Sequence, residues 1–471
     1  MNKFYPTLLL LPLLLCACAS TPPVAIAPPA QVAAFKEQAL WQRAGSGEAA
    51  TPSERWWQLY QDPVLDELQD GLVIGNENLK IALAQLDAAR AALGTARAAQ
   101  QPSLNLSASG NRADSGGNAS GPQNTVRADL SASWELDLFG RLRQASHTSE
   151  ARLQASEADL AAARLSAQGT LTQAYLSLRA AEAQRALVER SIVAYERSLA
   201  LTRARYQSGV APASDVLQAE TQWRSTQVQS LEAANSRAQA EHAIAVLLGR
   251  APAALSLSTN ATLPTPPRVP TLLPASLLQR RPDIRAAERR VAAAQSQIGE
   301  TEAAYFPSLT LSASAGERSS SLRQLFDSPS LVWSLGPALA QKLLDGGARN
   351  AANAQARALA EQAGASYRQT VLVALQEVED NLLLADQLQT QASLQSEALT
   401  AAQRNLEITQ EQYRVGTVSY LNVVTAQTAA LSSERSLLDL RTRQLNATSQ
   451  LLKNIAGRWD TPAPAMEVKS R

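Results

Sequence analysis

The chain states one pattern twice. Pro102-Ser-Leu-Asn-Leu-Ser-Ala-Ser109 returns as Pro307-Ser-Leu-Thr-Leu-Ser-Ala-Ser314, and Tyr206-Gln-Ser-Gly209 returns as Tyr413-Arg-Val-Gly416. The shifts are 205 residues (102 to 307) and 207 residues (206 to 413), so register holds through both halves. A solenoid repeats every 20–50 residues or so, and this period is far longer. One structural half has been duplicated. Each copy reads helix, strand pair, long helix, tip, long helix.

The strand pairs come from period-two patterning. From Arg127 to Leu138, Ala128, Leu130, Ala132, Trp134, Leu136 and Leu138 alternate with Arg127, Asp129, Ser131, Ser133, Glu135 and Asp137. Alternation with one polar face is a strand signal. Leu104, Leu106 and Ala108 alternate in the preceding strand, and Leu309, Leu311, Ala313 and Leu331, Trp333, Leu335 do so in the second half. Trp134 and Trp333 suit either an aromatic belt at a lipid interface or packing on a helix.

The helices come from heptads. No proline lies between Gly140 and Gln207 or between Ala338 and Asp460. Val371, Val378, Ala385, Ala392, Leu399, Leu406 and Tyr413 follow a step of seven, as do Val424, Leu431, Leu438, Leu445 and Leu452, and also Leu153, Leu160, Ala167, Ala174 and Ala181. A sustained step of seven means packing side by side along a seam. Gly209 and Gly416 break the long helices, Gly249 and Gly457 end the return helices, and Pro282 with Asp283 suits a helix first turn. A helix of about 65 residues is roughly 100 Å long.

These elements do not make a closed unit. Small barrels close with about eight strands, and a lipid-facing sheet tolerates no open edge. Four strands per chain therefore require several chains to pool them. Narrow apolar seams with polar flanks likewise suit a wall wet on both sides. The expected fold is mainly α with a membrane β part, internally duplicated.

Composition narrows the class further. Net charge is +1, which offers no basic footprint for nucleic acid. The two cysteines, Cys16 and Cys18, sit in the N-terminal segment, leaving none for a disulfide framework beyond it. Leu8 to Leu15 is an apolar run behind Lys3, too short to span a bilayer and suited to a secretory signal. Leu15-Cys16-Ala17-Cys18 resembles a bacterial lipobox. The small residue before Cys18 fits and Leu15 before Cys16 does not, so the resemblance implies lipidation of Cys18. Ala19 stands where inner-membrane retention wants Asp, which implies sorting to the outer membrane. His147 and His242 are far apart, and no catalytic triad, phosphate loop or metal cluster is recognisable, so no enzyme activity and no cofactor is expected.

Several blocks together carry a family resemblance. They are the lipobox, the run WWQLYQDPVLDEL from Trp56, WELDLFGRLR from Trp134, LLQRRPDIRAAERRVAAAQSQIGETEAAYFPSLTLSAS from Leu277, and the two Tyr-x-x-Gly tips. The chain resembles outer membrane efflux proteins of the TolC and OprM type, in the NodT-like lipoprotein branch. The resemblance implies a homotrimer with a 12-stranded barrel continued by a helical periplasmic tube. It also implies a periplasmic adaptor, an inner-membrane pump of the RND type, and anchoring in outer-membrane lipid through acylated Cys18. On this reading the expected divisions are 1–17 signal peptide, 18–61 tether, 62–250 first repeat, 251–274 linker, 275–457 second repeat and 458–471 tail. Strands are expected at about 102–110, 126–138, 307–315 and 331–343, with tips at about 206–217 and 413–424.

The tips hold the candidate site residues. The resemblance implies adaptor contact by Gly209, Val210, Gly416 and Thr417, while the residues alone also fit helix-hairpin turns with a left-handed glycine. Asp215 suits an acidic ring made by three copies, or equally a first-turn partner of the helix dipole. The second tip carries Asn422 and Thr425 where family members often carry aspartates, and Leu421 beside them suits an apolar constriction. The resemblance implies that Tyr206 and Tyr413 hold a closed state by hydrogen bonds, although Tyr413 also continues the heptad seam. The function expected is a passive exit duct for compounds received from a pump. The alternative is a non-conducting coiled-coil lipoprotein that scaffolds the envelope.

Overall fold

The computed structural model describes residues 35–36, 55–114, 122–267, 269, 281–325 and 331–456. Cys18 and the expected signal peptide, most of the tether, Gly457 and the tail lie outside them. The element order is α1 (Pro63–Gly75), α2 (Glu77–Ala98), β1 (Ser103–Ala113), β2 (Gln123–Leu136), α3 (Arg141–Gln207), α4 (Ala213–Leu247), α5 (Pro282–Ala303), β3 (Ser308–Ser319), β4 (Leu331–Ala340), α6 (Ala348–Val415) and α7 (Tyr420–Ile455), with single 3-10 turns between some of them. The strands start and end a few residues from the expected limits. β1 and β3 run further, and β4 stops at Ala340 rather than near 343.

The described residues form two compact units. One is built around Ala89–Leu153 and Ala287–Arg368, the other around Ala30–Ala88, Gln154–Ala286 and Gln369–Arg471. Neither coincides with a sequence half, because each takes segments from both copies.

The first unit holds an antiparallel sheet in the order β1-β2-β3-β4. The first half's hairpin therefore lies beside the second half's, joined by β2 against β3. The register puts Leu106 opposite Leu130, Leu130 opposite Ala315, and Ala315 opposite Trp333. Because side chains alternate with period two, this lines up one apolar face across all four strands. Leu104, Leu106, Leu130, Trp134, Leu335 and Leu339 lie on it and are exposed. The opposite face carries Ser107, Asp129, Ser131, Ser312, Ser314 and Ser334. Gly316 faces Asp129 at a close approach: a Cβ there would stand 2.4 Å from the Ala128 carbonyl oxygen.

Both strand-to-helix corners use an Asp–Arg device. Asp137 accepts from the Leu142 and Arg143 amides at the start of α3, at 3.1 and 2.8 Å. Asp345 accepts from the Gly347 and Arg349 amides and pairs with the Arg349 side chain. Free amides at a helix start are satisfied this way, and a carboxylate there also suits the dipole. Gly140, Gly346 and Gly347 turn the corners at positive φ. Phe139 stacks on Phe306 at 4.9 Å, joining the corner after β2 to the corner before β3.

The second unit has the main core. Trp56, Trp57 and Tyr60 pack with Leu65, Leu68 and Leu72 of α1, Leu171, Tyr175 and Leu178 of α3, Ile244 of α4, and Leu445 and Leu452 of α7. The tryptophan-rich block is thus a core element. Asp62 caps α1 through the Val64 and Leu65 amides and accepts from the Tyr175 hydroxyl. Burial pushes that phenol well above its usual range.

A buried ionic cluster holds the segment after α4. The side chains of Arg179 and Glu182 are 2% and 1% exposed and pair at 2.8 Å. Arg237 binds Glu182 and Glu241, and the two arginines donate to the carbonyls of Ser258 and Leu257. Glu182 and Glu241 accept from the Asn260 and Leu257 amides. Charges so deeply buried are tolerable only when each is paired and its remaining valences filled, and this network fills them with the backbone of the segment it pins. The Arg-Pro-Asp block works similarly. Arg281 grips Asp283 through Nε and Nη2 and reaches Glu377 on α6 at 2.7 Å, while Pro282 opens α5.

Two glycines allow one close backbone crossing. A Cβ on Gly75 would stand 2.0 Å from the Leu248 carbonyl oxygen, and one on Gly249 would stand 2.0 Å from that of Gly75. A Cβ on Gly94 in α2, by contrast, would meet nothing within 4 Å. Gly75→Ala is therefore expected to destabilise by about 1–3 kcal/mol, the usual overpacking range. Gly94→Ala is expected to stabilise by about 0.5–1 kcal/mol through helix propensity. Thermal unfolding followed by circular dichroism should shift the two variants in opposite directions.

Candidate functional site: the hairpin tips

The repeated Tyr-x-x-Gly has a stereochemical reason. At the end of α3 the Gly209 amide donates to the Tyr206 carbonyl at 2.9 Å, and the Val210 amide donates to the Arg205 carbonyl at 2.9 Å. At the end of α6 the Gly416 amide donates to the Tyr413 carbonyl at 3.1 Å, and the Thr417 amide donates to that of Gln412 at 2.9 Å. Each is a Schellman turn, with glycine at the position just after the C-cap residue and tyrosine at the carbonyl that its amide satisfies. Gly209 and Gly416 have φ +75 and +86, where a Cβ would be strained. The chain then reverses into α4 and α7, whose first turns carry Asp215 and Asn422.

The two turns are alike in backbone and different in side chains. Arg205 lies one residue before Tyr206, and Gln412 holds the corresponding place before Tyr413. Arg205 reaches the other hairpin. Its Nη1 donates to the carbonyls of Tyr413 and Arg414 at 2.9 and 3.1 Å, and its guanidinium lies 4.7 Å from the centre of the Tyr413 ring. Those carbonyls belong to the last turn of α6, which lacks helical partners and carries the negative end of the helix dipole. A cation there is favourable on both counts. One half's arginine thus caps the other half's long helix.

Tyr413 turns inward. It is buried with Leu199, Ala219, Tyr420 and Val423, and meets Tyr420 edge-on at 5.3 Å. The Tyr420 hydroxyl shares a hydrogen bond with Ser198 at 3.1 Å. Burial raises the Tyr420 phenol, the Ser198 hydrogen bond lowers it, and the nearby Asp215 carboxylate raises it further. Partial burial raises the Asp215 carboxyl, and Arg205 partly offsets this. Asp215 is therefore coupled electrostatically to both Arg205 and Tyr420.

Of the residues expected at this site, the structure sets Tyr413 against the Arg205 guanidinium and leaves Asp215 near enough for the Arg205 charge to act on its carboxyl. It does not bring Tyr206 in, since that ring is half exposed. The Tyr413 hydroxyl is buried with no hydrogen-bond partner among the described residues, so within this chain the tyrosine works through its ring. Gly209, Val210, Gly416 and Thr417 lie at the turn apices, and all four are exposed. Leu421, Asn422 and Thr425 lie on the first turns of α7, with Asn422 accepting from Ser419 and Thr425 donating to the Leu421 carbonyl. Sequence reasoning missed Arg205, Tyr420 and Ser198. One signal was available for Arg205: the repeats differ immediately before the shared tyrosine, arginine against glutamine.

No group of metal-ligating side chains occurs among the described residues, and no described helix is long and apolar enough to cross a membrane. The profile of the outer membrane efflux protein family matches residues 72–250 and 273–457. The solvent efflux pump outer membrane protein SrpC of Pseudomonas putida is 33% identical over 418 residues, covering 87% of this chain and 88% of that protein. Outer membrane protein OprJ of Pseudomonas aeruginosa is 33% identical over 468 residues, covering 96% and 95%. The crystal structure of outer membrane protein VceC from Vibrio cholerae superimposes with a TM-score of 0.80 at 28% identity, covering 87% of this chain and all of that one.

Removing the Arg205 side chain should loosen the second tip. A hydrogen bond involving a charged donor contributes about 1.5–3 kcal/mol, so Arg205→Ala is expected to speed exchange of the Gly416 and Thr417 amides roughly tenfold or more. Hydrogen-exchange mass spectrometry of peptides spanning 412–420 checks this, with the Gly249 turn as an internal control.

Proposed function

This chain belongs to the outer membrane efflux protein family, and from that membership we propose how it is assembled and controlled. It is an outer-membrane channel component of an efflux pump. In the proposed assembly three copies pool their four strands each into one closed barrel and their helices into a tube. The observation that carries this is the sheet. One face is apolar across all four strands from the Leu104 end to the rung of Leu106, Leu130, Ala315 and Trp333, and both edges, β1 and β4, are without a partner strand among the described residues. The strands are 11, 14, 12 and 10 residues long, and a tilted membrane strand needs about 9–11. The apolar face meets lipid and the serine-rich face lines water.

The duct itself supplies no energy. A periplasmic adaptor, an inner-membrane pump of the RND type and the lipid attached to Cys18 complete the proposed system. The apices at Gly209, Val210, Gly416 and Thr417 are the proposed adaptor contacts. The relatives are named for solvent, toluene and antibiotic efflux. The cargo proposed here is accordingly of the small organic kind.

Control is assigned to the tips. Arg205 fastens the two hairpins of a chain together at the end of α6, and Tyr413 with Tyr420 packs behind it. Asp215 with Leu421, Asn422 and Thr425 forms the proposed constriction, and Tyr206 stands exposed beside it. Opening requires the hairpins to separate, so the Arg205 contacts must break.

Planar-bilayer recording of the purified full chain tests the duct. Wild-type protein should show small, infrequent openings, and Arg205→Ala should raise conductance or open probability severalfold. Silence from both proteins would instead favour the coiled-coil scaffold. Lipid attachment is tested separately. Cells fed radiolabelled palmitate should label the wild-type chain, and Cys18→Ser should lose the label while Cys16→Ser keeps it.

A further inference from the structure

We propose that Gln427 is a built-in destabiliser of the packed tip: its amide, buried without a partner, lowers the work needed to draw α7 away from α3. This rests on the control assigned to the tips above and deepens it, because it names a group inside the packing that opposes the packed arrangement.

Gln427 stands in the apolar stripe of α7. Tyr420, Val423, Ala430 and Leu431 are buried at three- and four-residue steps around it, the spacing of one helix face. One turn earlier, Val423 belongs to the cluster of Leu199, Ala219, Tyr413 and Tyr420. One turn later, Leu431 belongs to a second cluster with Leu187, Val188 and Tyr195. Trp223 of α4 packs against both. The glutamine therefore falls at the junction of two apolar clusters, built from α3 and α7 with α4 against them.

Nothing around it answers the amide. Neither Nε2 nor Oε1 of Gln427 has a hydrogen-bond partner among the described residues. Only its backbone is engaged from outside the helix, by the Tyr195 hydroxyl, which donates to the Gln427 carbonyl at 3.2 Å. The residue is 1% exposed within a single chain, so a second copy cannot reach the amide either. The Trp223 indole nitrogen and the Tyr413 hydroxyl are likewise buried and unpartnered among the described residues, so the shortage of partners is shared by the region. An amide taken out of water without a replacement hydrogen bond opposes the state that buries it. The repeat shows that the position does not require this. At a shift of 207, Gln427 corresponds to Glu220 of α4, which is partly exposed and pairs with Arg203 at 3.4 Å. One half keeps its polar side chain at the surface and the other half buries it. Drawing α7 away from α3 wets the amide and removes the penalty, and this separation is the motion assigned to opening.

Gln427→Met tests this. It keeps an unbranched side chain of similar length and helix propensity and removes both hydrogen-bonding groups. Gln427→Leu removes the same groups with a branched side chain. The readout is hydrogen-exchange mass spectrometry of the full-length chain in detergent micelles. Peptides within 420–431 should exchange on the order of tenfold more slowly than in wild type, and peptides within 445–455, in the remote core, should not change. Slowing confined to 420–431 in either variant upholds the proposal. Unchanged or faster exchange in both overturns it, because the amide then contributes nothing or holds the tip together. Slowing that extends equally to 445–455 also overturns it, because the effect is then on the whole fold. Planar-bilayer recording separates this from tip control. In the Arg205→Ala background, adding Gln427→Met should lower the open probability on the order of tenfold. Slower exchange with unchanged open probability leaves Gln427 as the destabiliser of the packing and overturns tip control instead.

Discussion

Everything in this molecule follows from the need to satisfy backbone hydrogen bonds along a sheet edge. Four strands with one apolar face are suited to lipid, yet an open edge in hydrocarbon leaves a row of amides and carbonyls without partners, at several kcal/mol each. A single chain cannot bend four strands far enough to remove its own edges. The sheet in this chain runs β1-β2-β3-β4 with β2 and β3 already joined across the duplication. Duplication thus joined the two hairpins within the chain and left β1 and β4 as the edges of the sheet. Copies of the chain are the natural way to cover those edges.

The same duplication shapes the helical part, with a different outcome. Two long helices end in the same Schellman turn because a helix of any sequence must satisfy its last carbonyls before it can reverse. Identical turns would make the two hairpins interchangeable. Arg205 against Gln412 breaks that equivalence, since only the first half can reach across and cap the other helix. Tyr420, facing Tyr413 from α7, has Ala213 in the corresponding place of the first half, so the aromatic backing is also one-sided. The strand part keeps its pseudo-symmetry, which continuous pairing demands. The tip departs from it, in the place assigned to control.

Much of this was legible in the order of residues. Alternation from Arg127 to Leu138 marked a strand and its faces, and Asp283 after Pro282 marked a helix start. The seam through Val371, Val378 and Tyr413 also foretold the inward turn of Tyr413. What stayed hidden was mostly ionic and long-range. Arg179, Glu182 and Arg237 look like solvated helix charges in sequence, yet they sit in the interior, holding the segment around Ser258. Periodicity cannot reveal this, because charge pairs have no repeat and their burial depends on a segment some 80 residues away. The strand limits were misjudged for a related reason: β4 ends where its partner strand ceases to support it, rather than where its alternation fades.

The sequence by itself determined the duplication, the secondary structure, the apolar face of each strand and the glycines at the reversals. These are local properties, set by side-chain period and backbone sterics. Tertiary structure alone decided that β2 pairs with β3, that Arg205 caps α6 instead of facing solvent, and that Tyr413 enters the packed cluster while its counterpart Tyr206 stays exposed. Those outcomes depend on which partner arrives at a carbonyl, a strand edge or an aromatic face, and that choice is made only when segments about 200 residues apart meet.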